Sequence, residues 1–307
     1  MILSILGKLI VIFALLAVGY IARKKEVLDA NIQLGLSRIV LVIAMPALVL
    51  SSANVSYTAD RMQSILFIFA FAIAYYLLSI PLSHLAARAL HLEDDRRRVF
   101  VTLTVFANVG FLGYPIVSIF LPETGVFYAV FFNIIFQMLF FTYGIGLMAK
   151  RKSMNPLTLL RDPNIISAIL MIVLFVLQLK LPSPVQETLS ILGGLCTPLS
   201  MLVIGSMLAQ INLRELFTDK SLYIVSFLRL LLIPAVGIVI LRLLGATPEI
   251  ATVVTIMLAM PAASSTAMLG ERYKCDPAMC SKGIVLSTLF CLVTIPLVGL
   301  ALEFVFG

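Results

Sequence analysis

Hydrophobic residues run along this chain in long blocks, and charged residues are confined to short clusters between them. Ten blocks can be read in order, over about 2–22, 34–53, 63–87, 99–121, 125–149, 164–181, 186–208, 221–244, 249–268 and 283–306. Most approach the roughly 20 residues that a helix rising 1.5 Å per residue needs to cross about 30 Å of hydrocarbon. A soluble core of this size would carry polar faces along its helices, and these blocks do not. The pattern predicts an all-α membrane protein of ten transmembrane helices.

Composition strengthens that picture. Of the 307 residues, 61% are hydrophobic and 12% charged, with mean hydropathy +1.11, against roughly 45–50% apolar and about 25% charged in soluble domains. No stretch resembles an extramembrane domain. The first block is followed by its basic cluster, Arg23-Lys24-Lys25, so it reads as a retained helix and not a cleaved signal peptide.

Charge then orients the chain. Loops after odd-numbered spans, with their flanks, hold 17 of the 22 Lys and Arg residues, including Arg96-Arg97-Arg98 and Lys150-Arg151-Lys152. The positive-inside rule makes those loops cytoplasmic and puts both termini outside the cytoplasmic membrane. The net charge of +7 reports this topology. A nucleic-acid partner would need a basic face on a folded domain, which the chain lacks.

Ten spans divide into two fives, and an odd number per half gives the halves opposite orientation. The basic stretch around K-R-K-S-M-N-P is the natural seam, giving a first repeat at 1–150, a cytoplasmic linker at 151–162 and a second, inverted repeat at 163–307. Proline positions echo between the halves. Pro46 and Pro198 lie in the second span of each half, and Pro115 and Pro261 in the fourth. Any one proline can simply kink a membrane helix, but matching interruptions in matching helices point to a transporter site.

The segment A-N-V-G-F-L-G-Y-P-I-V at 107–117 is the clearest interruption. Pro115 removes a backbone donor, and Gly110 and Gly113 allow unwinding, so amides and carbonyls near the bilayer midplane would lose helical partners. Such groups cannot face lipid and are tolerated in a protein-lined cavity. There, half-helix N-termini favour an anion and freed carbonyls a cation. Asn108 offers an amide in the same break, and Ser264, Ser265 and Thr266 follow Pro261 with hydroxyls.

These segments, with the tail M-P-A-A-S-S-T-A-M-L-G-E-R-Y-K-C-D-P and the ten-span plan, resemble the auxin efflux carrier family of secondary transporters, in its compact bacterial form. The resemblance spans the whole chain and implies a small organic anion as substrate, a dicarboxylate or an auxin-like acid. It implies broken, crossing helices 4 and 9, as in sodium–proton antiporters and bile-acid symporters. It also implies an elevator-type motion, a homodimer, and a carboxylate-binding role for Asn108.

Other intramembrane polar residues carry two readings each. Arg229 sits about 12 Å into the eighth span at 1.5 Å per residue; it attracts an anion, or it snorkels or pairs with a carbonyl. Asn133 and Gln137, four apart on the fifth helix, line a cavity or join helices by hydrogen bonds. Gly144, Gly146, Gly193 and Gly194 read as close-packing positions, and His84 and His91 lie at a cytoplasmic end. Glu123, Glu249 and Glu303 all sit near span ends, so a proton or sodium ion, the candidate coupling ions, would lack a midspan carboxylate. Enzyme motifs, metal-ligand sets and cofactor loops are not found. Cys275 and Cys280 form only a C-x-x-x-x-C spacing without histidine, and Cys196 and Cys291 read as packing residues. The competing classes are an ion channel, an ion-coupled exchanger for a non-carboxylate solute and an intramembrane enzyme.

Overall fold

The computed structural model describes residues 2–150, 161–210 and 216–307. The linker expected at 151–162 lies outside the described residues up to position 160. Among the described residues every regular element is helical, and the one β-type contact is an isolated antiparallel bridge between Ala107 and Ala262. In chain order the helices are α1 (Ile2–Lys24), α2 (Ala30–Ser51), α3 (Ala59–Ala89), α4 (Asp94–Val105), α5 (Val109–Phe120) and α6 (Gly125–Ala149). They continue with α7 (Pro163–Val176), α8 (Ser183–Leu208), α9 (Lys220–Leu243), α10 (Pro248–Leu258), α11 (Ser265–Tyr273) and α12 (Pro277–Phe306). Six of them, α2, α3, α6, α8, α9 and α12, are long and apolar enough to cross a membrane. Helices α5, α7 and α10 are apolar and shorter.

Short polar signals start several of these helices. Asp162-Pro163, Thr247-Pro248 and Asp276-Pro277 each supply a side-chain oxygen that accepts from an early helical N–H, followed by a proline whose missing donor costs nothing there. Asp29 and Asp219 cap α2 and α9 in the same way, accepting from Ile32 N at 2.7 Å and Ser221 N at 3.0 Å.

Proline inside the helices has a different outcome from the one expected. Pro46, Pro115 and Pro234 each stand two residues after a π-helical turn, at Val40–Ala44, Val109–Gly113 and Leu228–Leu232. A proline ring clashes with the carbonyl four residues before it, and widening that turn to an i→i−5 bond moves the carbonyl aside. Met45 N accordingly reaches Val40 O, and Ile233 N reaches Leu228 O. Pro46 is therefore not a helix break: α2 runs on through it. At Pro198 the interruption is one residue, Leu195, whose N–H turns back to Leu192 O at 3.2 Å before the helix resumes at Cys196. In both places the displaced carbonyl can be re-satisfied within the helix, so no long break is needed.

The chain divides into two compact units. The first comprises the described residues within Met1–Ile68, Gly110–Ile134 and Leu157–Gln210; the second, those within Phe69–Val109, Ile135–Pro156 and Ile211–Gly307. In the first unit α1 and α8 touch backbone to backbone. A Cβ on Gly19 would stand 2.4 Å from Leu202 O, and one on Gly205 only 2.0 Å from Leu16 O. Small residues allow this approach where lipid-like surroundings supply no hydrophobic drive between helices. Gly193 lies equally close to α2, where a Cβ would meet Leu48 Cα at 2.8 Å, whereas Gly194 has open space. Close packing thus explains the first glycine of that pair and not the second.

The second unit has an ionic cluster near the start of α4. Arg96 pairs with Asp219, Arg97 and Arg98 pair with Asp94, and Lys150 Nζ lies 2.9 Å from Asp95. In its interior the chain leaves the helical conformation twice, at Phe106–Asn108 and at Met260–Ala263.

Candidate functional site: two paired helix breaks

The interruption expected at Gly110–Pro115 begins four residues earlier, at Phe106–Asn108, between α4 and α5. Gly110 and Gly113 are helical, within the π-turn that accommodates Pro115, so these residues do not unwind the chain. The second interruption runs over Met260–Ala263, between α10 and α11, and includes Pro261 as expected. All of Phe106–Val109 and Met260–Ala263 is buried, which makes the fate of each backbone group a matter of complete accounting.

The two breaks satisfy each other. Asn108 N donates to Pro261 O at 2.8 Å and Ala263 N donates to Phe106 O at 2.9 Å, a two-residue antiparallel bridge centred on Ala107 and Ala262. Ala262 N donates to Ser287 Oγ of α12 at 3.2 Å, and Val109 N folds back to Ala107 O at 2.9 Å. The small alanines let the strands meet, and Phe106 fills the space beside them, its ring 5.2 Å from Phe140 and 5.9 Å from Phe136 and Tyr76.

Arg229 takes four more carbonyls. It is completely buried, and the π-turn Leu228–Leu232 of α9 carries it. Nε donates to Met260 O at 2.9 Å and Nη2 to Leu258 O at 2.8 Å; Nη1 reaches Thr104 O at 3.2 Å and Val105 O at 3.4 Å. Nη1 also donates to the Tyr75 hydroxyl, which in turn donates to Val105 O at 3.1 Å. Of the two readings of Arg229, carbonyl pairing is what the structure has. Among the described residues no carboxylate partners it.

Asn108 and Ser264 form the polar face of the bridge. Asn108 Nδ2 donates to Ser264 Oγ at 2.9 Å, which leaves the serine proton for another acceptor. Ser264 is the residue before α11, and Ser265 opens that helix; both are half-buried. Thr266, in the first turn, is fully buried with no hydrogen-bond partner for Oγ1 among the described residues. At this helix start Thr266 N donates to Ala263 O at 3.0 Å and Ala267 N to Ser264 O at 3.3 Å, so what it offers an oxyanion is the positive end of the α11 dipole, with an amide and three hydroxyls beside it.

Two expected residues separate. Gln137 lies in the second unit, buried, with Oε1 lacking a partner among the described residues. Asn133 lies in the first unit with Gly110, Gly113 and Pro115, and its amide donates to the Tyr114 hydroxyl at 2.8 Å. Joining helices is therefore what Asn133 does. Tyr75 and Ser287 escaped the sequence reading. Each sits next to another hydroxyl residue, Tyr76 or Thr288, in a long apolar helix, and nothing local distinguishes it from a packing residue.

Comparison with known proteins gives the chain its family. The model of a family described as "Membrane transport protein" matches residues 4–156 and 152–298. The chain belongs to this family. It is the auxin efflux carrier family that the motifs resemble. Two archaeal relatives carry the description uncharacterized transporter. One, from Methanocaldococcus jannaschii, is 26% identical over 94% of this chain and 96% of its own length. The other, from Methanothermobacter thermautotrophicus, is 28% identical over 93% and 94%. Membership makes this chain a membrane transport protein with multiple membrane-spanning helices.

Proposed function

We propose that this family member is a secondary carrier for a small organic anion carrying a carboxylate, working across the cytoplasmic membrane. The observation that carries the reading is the bridge of the two breaks, with Asn108 and Ser264 hydrogen-bonded beside the start of α11. A carboxylate there would accept from the Ser264 hydroxyl, while the dipole of α11 favours its charge. Ten spans in two inverted repeats, with both termini outside, complete the proposed architecture. The bundle holding both breaks would move in an elevator-type cycle, in a homodimer, with a proton or sodium ion as coupling partner.

The test is thermal-shift binding of the purified protein with malate, malonate and indole-3-acetate, then saturable uptake and counterflow in liposomes with any acid that shifts it. Asn108→Ala, which keeps the backbone bridge, is expected to remain folded and lose the ligand-induced shift. Equal binding by the folded variant would remove Asn108 from the site. Large ionic currents without counterflow would favour a channel.

A further inference from the structure

Each break has a helix ending before it and a helix starting after it. Helices α4 and α10 present C-terminal carbonyl ends, each equivalent to roughly half a negative charge, and the helices that follow present roughly half a positive charge each. Left alone, the four ends cancel. Arg229 changes that sum. Its guanidinium takes Thr104 O and Val105 O at the end of α4 and Leu258 O and Met260 O at the end of α10. One positive charge thereby offsets two half-charges of opposite sign, and the helix starts remain uncompensated.

We infer that Arg229 is the positioning residue of the site: it locks the two carbonyl-ending half-helices into one bridge and leaves the helix starts with a surplus of about one positive charge, so that the site selects a substrate with a single negative charge there. The second half of this statement rests on the proposed anion carrier; the first does not. The geometry calls for arginine. Its acceptors lie around three different nitrogens, which a planar fork can serve together and a lysine ammonium, a single point on a flexible stem, cannot. The guanidinium is wholly buried, so it does not touch a solute directly and acts through the bridge. Tyr75 extends the lock, since its hydroxyl accepts from Nη1 and donates to Val105 O. The Ser264 hydroxyl and the first turn of α11 lie on the other side of the break sequence from Met260, where the surplus charge is expressed.

The experiment has two readouts on the full-length protein in detergent, for wild type, Arg229→Gln and Arg229→Lys. Hydrogen exchange, measured without any ligand, follows peptides covering residues 104–109 and 258–264. Arg229→Gln is expected to speed exchange there at least about tenfold, with helices of the first unit unchanged. Binding is then compared for indole-3-acetate against its uncharged isostere indole-3-acetamide. Arg229→Gln is expected to lower the acid-to-amide preference by at least about tenfold, an effect that loosened packing alone would spread over both compounds. Arg229→Lys keeps the charge without the fork, so it should retain most of the acid preference while the bridge peptides exchange faster than in wild type. Wild-type exchange in a folded Arg229→Gln would overturn the positioning role. If Arg229→Gln fails to fold, Arg229→Lys decides, and wild-type exchange in it would overturn the need for a guanidinium. An acid preference unchanged in folded Arg229→Gln would overturn the charge argument. Should wild type bind neither compound nor any carboxylate, the anion-carrier reading fails by itself, and exchange still settles the role of Arg229.

Discussion

Asp219 acts twice at the start of α9. Its Oδ1 accepts from Ser221 N and from Ser221 Oγ at 2.6 Å, and its Oδ2 pairs with Arg96. Burial alone would raise this carboxyl, but the hydrogen bonds from Ser221 and Arg96 outweigh it and hold the group below the usual carboxylate range. A lowered folded-state value means stability that is fully present above the unfolded value of about 3.9 and is lost as pH falls through the folded one. Asparagine is an equally good cap, so Asp219→Asn removes mainly the charge. It should cost about 1 kcal/mol or less near pH 7, given that Arg96 is partly exposed and screened. Melting curves in detergent should show the gap between the two proteins constant from about pH 7 to 5 and closing below about pH 4. A gap that does not narrow at all below pH 4 would show that the ion pair is not its source. Residue-scale chemistry of this kind was only partly legible beforehand. Asn108, Ser264 and Pro261 stood out because polar or helix-breaking residues in an apolar block are costly. The partners of Arg229 did not, because backbone carbonyls from two distant helices leave no mark in composition.

Prolines and glycines were legible as signals and ambiguous as outcomes at the scale of the element. Four prolines, Pro46, Pro115, Pro198 and Pro261, predict interruptions. The structure has long breaks at two sites, a single-residue interruption before Pro198 and a continuous helix through Pro46. What separates them is whether the freed carbonyl finds a partner inside its own helix, through a π-turn, or needs one from elsewhere. At Pro115 the π-turn absorbs the proline, and the true break moves to Phe106–Asn108, where Pro261 O and Ala263 N are available. Glycine sorts the same way, by what a Cβ would meet. Gly205→Ala drives a methyl into Leu16 O and the Tyr20 amide, both backbone atoms that cannot rotate away. We expect a loss of about 1–3 kcal/mol, read as a lower melting temperature. Gly194→Ala meets nothing within 4 Å and should be neutral or stabilising by up to about 1 kcal/mol, because alanine suits a helix better than glycine. Equal melting temperatures for the two variants would contradict backbone contact between α1 and α8.

At the scale of the whole molecule, the membrane and multi-helix character follow from block length and composition alone, but inverted repeats are a statement about sidedness, and charge clusters only argue for it. Sidedness has a direct measurement here because the background is low. All four native cysteines are buried, and burial pushes the Cys275 thiol, in the turn between α11 and α12, up to about 11, so little reactive thiolate exists near pH 7. Single cysteines at exposed positions can then report the side of each loop. Glu26 follows the first span and Ser183 the sixth; Glu123 follows the fourth and Arg272 the ninth. If the second five spans repeat the first five upside down, each pair must split. In intact cells, a membrane-impermeant maleimide should label Ser183→Cys and Glu123→Cys and leave Glu26→Cys and Arg272→Cys untouched; in inside-out vesicles the pattern should reverse. Labelling of Glu26→Cys and Ser183→Cys from the same side would break the inversion. The two interrupted helices would then enter their bridge from a different pair of membrane faces, and a carrier cycle built on opposed half-helices would have to be abandoned.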